Sequence, residues 1–131
     1  MRYMLDTNIC IYLLSGRYPQ LLQRVSGMQF GHVFMSMVTY AELRVGIETD
    51  STSRLASELA LGLFLQRIPA LPVDHATAET YARLRAAVPG RKRDAFDRLI
   101  AAHAVSLNLT LVTNNTDDFT AYPGLKLENW V

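Results

Sequence analysis

Apolar and polar positions fall in blocks whose period changes several times along the chain. Arg2-Tyr3-Met4-Leu5 is a short apolar run and predicts a strand. Polar Asp6-Thr7-Asn8 follows, and helical spacing then runs through Leu14, closed by Ser15-Gly16. Pro19 starts a second helix to about Ser26, and His32-Val33-Phe34-Met35 predicts a second strand. Val38 to Ile47 predicts a third helix, Thr49 to Thr52 a polar break, and a fourth helix follows to about Gln66. Ile68 to Val73 predicts a third strand at an edge or irregular, because Pro69 and Pro72 cannot donate to a ladder. Asp74 to Val88 reads as a helix capped by Asp74 and ended by Pro89-Gly90. Phe96, Leu99, Ile100, His103, Ala104 and Leu107 recur at helical spacing and predict one more helix with an apolar stripe. Thr110-Leu111-Val112-Thr113 predicts a fourth strand, and Lys126-Leu127 a short fifth. No internal repeat and no low-complexity segment interrupts the order.

Strands alternating with helices predict an α/β fold, a three-layer α/β/α sandwich around a mostly parallel sheet. The length of 131 residues fits one domain spanning 1–131. Composition changes this picture little: 50% hydrophobic and 19% charged residues suit a folded globular chain. Cys10 is the only cysteine, so no intrachain disulfide forms and a reducing cytoplasm suits the chain. The apolar stretch Ile9 to Leu14 is far short of the roughly 20 residues a helix needs to cross a bilayer, and it lacks the basic leader of a signal peptide. A net charge of +1 gives bulk electrostatics no role in nucleic-acid binding, which then needs a local basic patch.

In parallel sheets, ligands bind outside the C-terminal strand ends. That rule singles out Asp6 after the first strand, Glu42 one turn into the helix after the second, Asp97 at the start of the helix before the fourth, and Asn115 just past the fourth. Each has a plainer reading. Asp6 is also a fitting helix cap; Asp97 forms a capping pair with Asp94; Glu42 is a solvated helix position; Asn114 and Asn115 are turn residues. Only the set argues for chemistry. Oxygen-rich carboxylate clusters suit Mg²⁺ or Mn²⁺. Such a cation activates water and neutralises a phosphate in flight, with any second metal roughly 3.5–4 Å away. Water would then attack a phosphodiester in line. No histidine joins the set, so the metal rather than an imidazole is the expected activator.

Met4-Leu5-Asp6-Thr7-Asn8 resembles the opening motif of PIN-domain nucleases. The stretch from Ser36 to Leu43 resembles their second motif, Asp97 to Ala104 the third, and Leu111 to Thr116 the fourth. Four motifs in order cover nearly the whole chain, the ending Leu125-Lys126-Leu127-Glu128-Asn129-Trp130 is similar to VapC-type toxins of type II toxin–antitoxin systems, and Asn114-Asn115-Thr116 resembles the form found in the enteric bacterial subgroup. The resemblance implies a PIN-like fold, Mg²⁺ or Mn²⁺, and endoribonuclease cleavage leaving a 5′-phosphate, with initiator tRNA the leading substrate and translation the target. It implies that Asp6, Glu42 and Asp97 ligate the metal and that Thr7 and Thr113 orient carboxylates or a water. Many family members carry Asp where this chain has Asn115. The amide oxygen still suits a hard cation but brings no charge, which favours one tightly held metal, or a contribution from Asp117 or Asp118. The resemblance also implies a VapB-type antitoxin, a homodimer, a toxin–antitoxin hetero-oligomer that contacts DNA only through the antitoxin, and no membrane association.

Arg91, Lys92 and Arg93 precede Asp97 and Arg98 follows it, so these four are candidates to hold RNA phosphates, against the alternative of a solvated basic loop. Arg17 and Arg24 are weaker candidates of the same kind. His103 falls on the apolar stripe and reads as a packing histidine. Leu21, Leu22, Leu59, Leu61, Leu63, Phe64 and Leu65 give two helices more apolar surface than a small sheet covers, for either core packing or a partner. Two other functions stay open. A different metal phosphohydrolase is disfavoured because Asp6-Thr7-Asn8 lacks the second Asp of an aspartyl-phosphate enzyme. A PIN-like module that binds without cutting has Asn115 as its only support.

Overall fold

The computed structural model describes residues 1–50, 52–90 and 95–131. Five strands, β1 (Tyr3–Leu5), β2 (Val33–Ser36), β3 (Ala70–Leu71), β4 (Thr110–Val112) and β5 (Lys126–Glu128), form one sheet in the order β3-β2-β1-β4-β5, every pair parallel. β1 is central, with Leu5 level with Met35 on one side and Val112 on the other. Six helices connect the strands: α1 (Thr7–Ser15), α2 (Pro19–Ser26), α3 (Met37–Thr49), α4 (Arg54–Arg67), α5 (His75–Ala87) and α6 (Ala95–Ser106). A 3₁₀ turn covers Thr116–Asp118.

Side chains along a strand alternate between faces, and this splits the core in two. Leu5 and Val112 join Ile9, Leu13, Leu21, Val25, Leu43, Ile47 and Leu61 on the face covered by α1 to α4. Met4 and Leu111 point the other way, onto Leu84, Ile100, Ala101 and Ala104 of α5 and α6. The result is the three-layer α/β/α sandwich expected from the pattern.

Local signals set the boundaries. Asp6 caps α1, its Oδ1 accepting from the Ile9 N–H at 3.0 Å. Gly16 takes a left-handed φ of 68° after the helix, a conformation that favours glycine. Asp74 caps α5 as expected, accepting from the Thr77 N–H. β3 shrinks to two residues at the sheet edge, between Pro69 and Pro72.

The stripe assigned to α6 needs correcting. Phe96 is 57% exposed and Leu107 39%, while Arg98, Ile100, Ala101, Ala102, His103 and Ala104 are buried. Hydrophobic spacing counted the two large apolar ends and passed over Ala101 and Ala102, which with Ala104 pack in the core between the sheet and α5. His103 is a packing histidine, as read: it is buried, with Nδ1 hydrogen-bonded to Ser36 Oγ at 2.8 Å.

Candidate active site

The C-terminal ends of β1, β2 and β4 face one cavity of about 640 Å³. Its walls come from four places: Asp6, Thr7, Asn8 and Ile11 from the start of α1, Glu42 from α3, Ala95, Phe96 and Asp97 from the start of α6, and Asn115 and Phe119 from beyond β4. The four residues singled out by the strand-end rule therefore meet. Residues spread over more than a hundred positions converge because β1, β2 and β4 are parallel neighbours and end at one edge.

Asp6 lies deepest, 5% exposed. Burial pushes its carboxyl above the ordinary carboxylate range and the nearby charge of Glu42 pushes the same way, while hydrogen bonds from the Thr113 hydroxyl and the Ile9 and Asn8 N–H groups pull it down. Thr113 is fully buried and works in two directions: it bonds Asp6, and its Oγ1 accepts from the Asn115 N–H at 3.1 Å. Thr7 does the same service for Glu42, donating to Oε1 at 2.5 Å, and lies 3.2 Å from the Thr39 hydroxyl. Asp97 stands in the first turn of α6, where the helix dipole favours an anion. Asn115 Nδ2 donates to Asp118 Oδ2 at 2.5 Å. Asp118 is not itself a wall of the cavity and reaches the site through Asn115.

Among the described residues, no three His, Cys, Asp or Glu side chains close into a tight metal cage. The carboxylates instead line an open chamber with room for water and a phosphate. Phe119, 2% exposed, and Phe96 supply apolar walls that sequence reasoning missed. Phe119 follows Asn115 by four residues, one helical turn, and that spacing was its only signal.

One assignment is overturned. Arg98 was expected to hold RNA phosphates, yet it is 1% exposed. Its Nε donates to Tyr122 Oη at 3.2 Å and its Nη1 to Tyr81 Oη at 3.4 Å, with the guanidinium 5.9 Å from the Tyr81 ring. Adjacent residues on a helix point about 100° apart, so Arg98 turns into the core while Asp97 faces the cavity. Arg91, Lys92 and Arg93 lie outside the described residues.

A parallel α/β/α sandwich with carboxylates gathered at its C-terminal edge suits hydrolytic chemistry on phosphate esters. Comparison with known proteins narrows that class. Residues 3–125 match the PIN domain family. The chain is 37% identical over 132 residues to the tRNA(fMet)-specific endonuclease VapC of Shigella flexneri, covering 99% of this chain and 98% of that protein. It superimposes on the DNA-bound VapBC of Salmonella typhimurium with a TM-score of 0.90 at 30% identity, over 100% of this chain and 99% of the other. On VapBC2 of Rickettsia felis bound to a promoter DNA fragment the TM-score is 0.88 at 31% identity, over 100% of both chains. The chain belongs to the PIN-domain family and, within it, to the VapC branch.

Proposed function

We propose that this protein is a magnesium-dependent endoribonuclease, the toxin of a type II toxin–antitoxin pair, which cleaves a structured RNA and so inhibits translation. The observation that carries the reading is the convergence of Asp6, Glu42, Asp97 and Asn115 on one cavity. The activity named for the Shigella relative favours initiator tRNA as substrate.

The donor set fits a hard divalent cation. The nearby charge of Glu42 disfavours the charged form of Asp6, and a cation lodged in the chamber that Asp6, Glu42 and Asp97 line would relieve that repulsion. Mg²⁺ keeps several waters and is held by one or two carboxylates plus substrate phosphates, which suits an open chamber better than a closed cage; Mn²⁺ would substitute. When bound, the cation supplies charge neutralisation at the phosphate and a more acidic water. The chain's own residues do the positioning. Thr113 fixes Asp6, Thr7 fixes Glu42, and Asn115, anchored to Asp118, presents a neutral polar side chain beside them. Phe96 and Phe119 limit solvent at the walls. A water oxygen bonds to phosphorus as the bond to the 3′-oxygen breaks, leaving a 5′-phosphate and a 3′-hydroxyl.

A VapB-type antitoxin is the partner in this reading, in keeping with the VapBC complexes the chain resembles. The surplus apolar positions divide accordingly. Leu21 and Leu61 are core, whereas Leu22, Leu59 and Leu63 are 47%, 62% and 67% exposed. A groove between α1, α3 and α4 is floored by Leu43, Ile47 and Leu61. Homodimerisation, DNA contact only through the antitoxin, and a cytoplasmic location belong to the same reading. Among the described residues, no helix is long and apolar enough to cross a membrane.

The test is cleavage of total bacterial RNA by antitoxin-free protein, with Mg²⁺ and with EDTA, beside Asp6→Asn. Discrete metal-dependent fragments absent with the variant bear the proposal out. Intact RNA in the presence of well-folded protein and Mg²⁺ or Mn²⁺ refutes it.

A further inference from the structure

Several basic side chains of the described residues are committed to partners. Arg24 pairs with Glu128 at 3.4 Å, and its guanidinium lies 4.4 Å from the Trp130 ring. Arg44 and Arg54 pair with Glu48 and Glu58. Arg67 donates to the carbonyls of Val25, Ser26 and Met28, and Arg98 is buried against two tyrosines. Arg17 is exposed and, like Arg2, Arg83, Arg85 and Lys126, is in no ion pair among the described residues; what sets it apart is that its guanidinium lies over two aromatic rings.

Arg17 is nonetheless held in place. The left-handed Gly16 turns the chain back after α1, and the Arg17 N–H donates to the Tyr12 carbonyl at 3.1 Å. The guanidinium then lies 5.4 Å from the Tyr12 ring and 5.6 Å from the Tyr18 ring, within cation–π range of both. The two rings meet edge to face at 4.9 Å and 74°, both half-buried against the core. Asn114 Nδ2 donates to the Tyr12 hydroxyl at 3.1 Å, tying the cluster to the end of β4. Tyr12 follows Ile11 and Asn114 precedes Asn115, and both of those neighbours line the cavity.

From this geometry we infer that Arg17, on its Tyr12–Tyr18 platform, is a subsite for one nucleotide of RNA flanking the bond to be cut. The inference rests on the ribonuclease reading above. An exposed planar cation with no acid partner among the described residues is suited to a phosphate or to stacking with an unpaired base. The tyrosines hold the cation and offer an exposed ring edge beside it. Holding the guanidinium before RNA arrives lowers the ordering entropy of binding. Through the Tyr12–Asn114 hydrogen bond the platform adjoins the end of β4, one residue before Asn115 of the cavity wall.

The test uses full-length protein carrying Asp6→Asn, so that RNA is bound without being cut, and a fluorescein-labelled single-stranded oligouridine as probe. Arg17→Gln on that background is expected to weaken binding roughly tenfold. It should also lower the slope of log K against log salt by about 0.7, the share of one phosphate on a single strand. Tyr18→Leu removes half of the platform and is expected to weaken binding roughly fivefold. In cleavage of bulk tRNA by protein with an intact Asp6, the Arg17→Gln defect is expected in KM. Unchanged affinity and salt slope for Arg17→Gln, with cleavage by the parent intact, overturn the subsite alone. Absence of RNA cleavage by the parent overturns the ribonuclease reading and the subsite with it.

Discussion

Replacing Arg98 tests whether its burial, rather than its charge at a surface, is what the fold uses. Truncation to Ala removes both hydrogen bonds to the phenols and leaves the Tyr122 hydroxyl, on a side chain 6% exposed, without its donor. An orphaned buried polar group costs about 1–3 kcal/mol, and the void left by a long core side chain about 2–5 kcal/mol. Relief from burying the cation offsets part of this, so the net loss is about 3 kcal/mol. Unfolding entropy near 2.1 cal/mol/K per residue, taken over 131 residues, is about 0.28 kcal/mol/K. The expected fall in Tm is therefore roughly 10 °C, read by circular dichroism. Arg98→Met keeps most of the volume and should lose roughly half as much. The companion measurement is RNA affinity against salt, where the slope should not change. A Tm lowered by less than about 3 °C, together with a slope reduced by about 0.7, would restore Arg98 to the RNA-binding surface and refute the burial argument.

Three further outcomes follow from the site. Because the folded Asp6 carboxyl is raised above its ordinary value of 3.8 by burial and then by Glu42, the native state binds its proton more tightly than the unfolded chain. Stability of the metal-free protein should therefore fall as pH rises from near 3.8 through the folded value. Asp6→Asn should remove that decline, keep the helix cap through its amide oxygen, and abolish cleavage; chemical denaturation across pH in EDTA checks it. Thr7→Val frees Glu42 from its 2.5 Å hydrogen bond and should slow cleavage roughly tenfold with little change in Tm, measured by initial rates over a Mg²⁺ titration. Asn115→Asp replaces the amide that donates to Asp118 with a second carboxylate, so the protein in EDTA should lose about 1–2 kcal/mol. Mn²⁺ should recover that loss, seen as a larger metal-induced rise in Tm than in the parent.

Much of this was legible beforehand, for identifiable reasons. Element order was readable because β1, β2 and β4 are short and buried, and because helix starts are marked by caps whose chemistry is local: Asp6, Ser36 and Asp74 each accept from an N–H two or three residues on. The convergence of Asp6, Glu42 and Asn115 follows from the rule for parallel strand ends, which needs only the strand assignments. Arg98 was misread because nothing local separates a buried arginine from an exposed one. Its partners come from α5 and from the segment beyond the 3₁₀ turn, 17 and 24 residues away. Phe96 was misplaced for the complementary reason: a large apolar residue at core spacing was counted as core, although the helix turns it toward the cavity mouth. The same blindness to long-range pairing left Arg17 and Arg24 alike in the sequence, where the structure commits Arg24 to Glu128 and seats Arg17 over Tyr12 and Tyr18.

The helix cap at Asp6 and the metal-ligand role proposed for it are compatible, and so are the first-turn position of Asp97 and the same proposed role. Asp6 Oδ1 accepts from the first turn of α1, which fixes the carboxylate's position and offers a partial positive charge to an anion that burial would otherwise penalise. Asp97 gains the same electrostatic support in the first turn of α6. Thr7, the first residue of α1, spends its hydroxyl on Glu42 of α3, so one helix start helps to orient two carboxylates. Capping is thus how a small domain holds three like charges around one chamber: helix termini and threonine hydroxyls bear part of the repulsion, and the cavity between them stays open. A site built this way depends on helix starts that are fixed by short-range sequence. That explains why four brief motifs carry so much of it, while the residues that set its walls and its flanks, Phe119, Arg98 and Arg17, are placed by contacts that no local motif encodes.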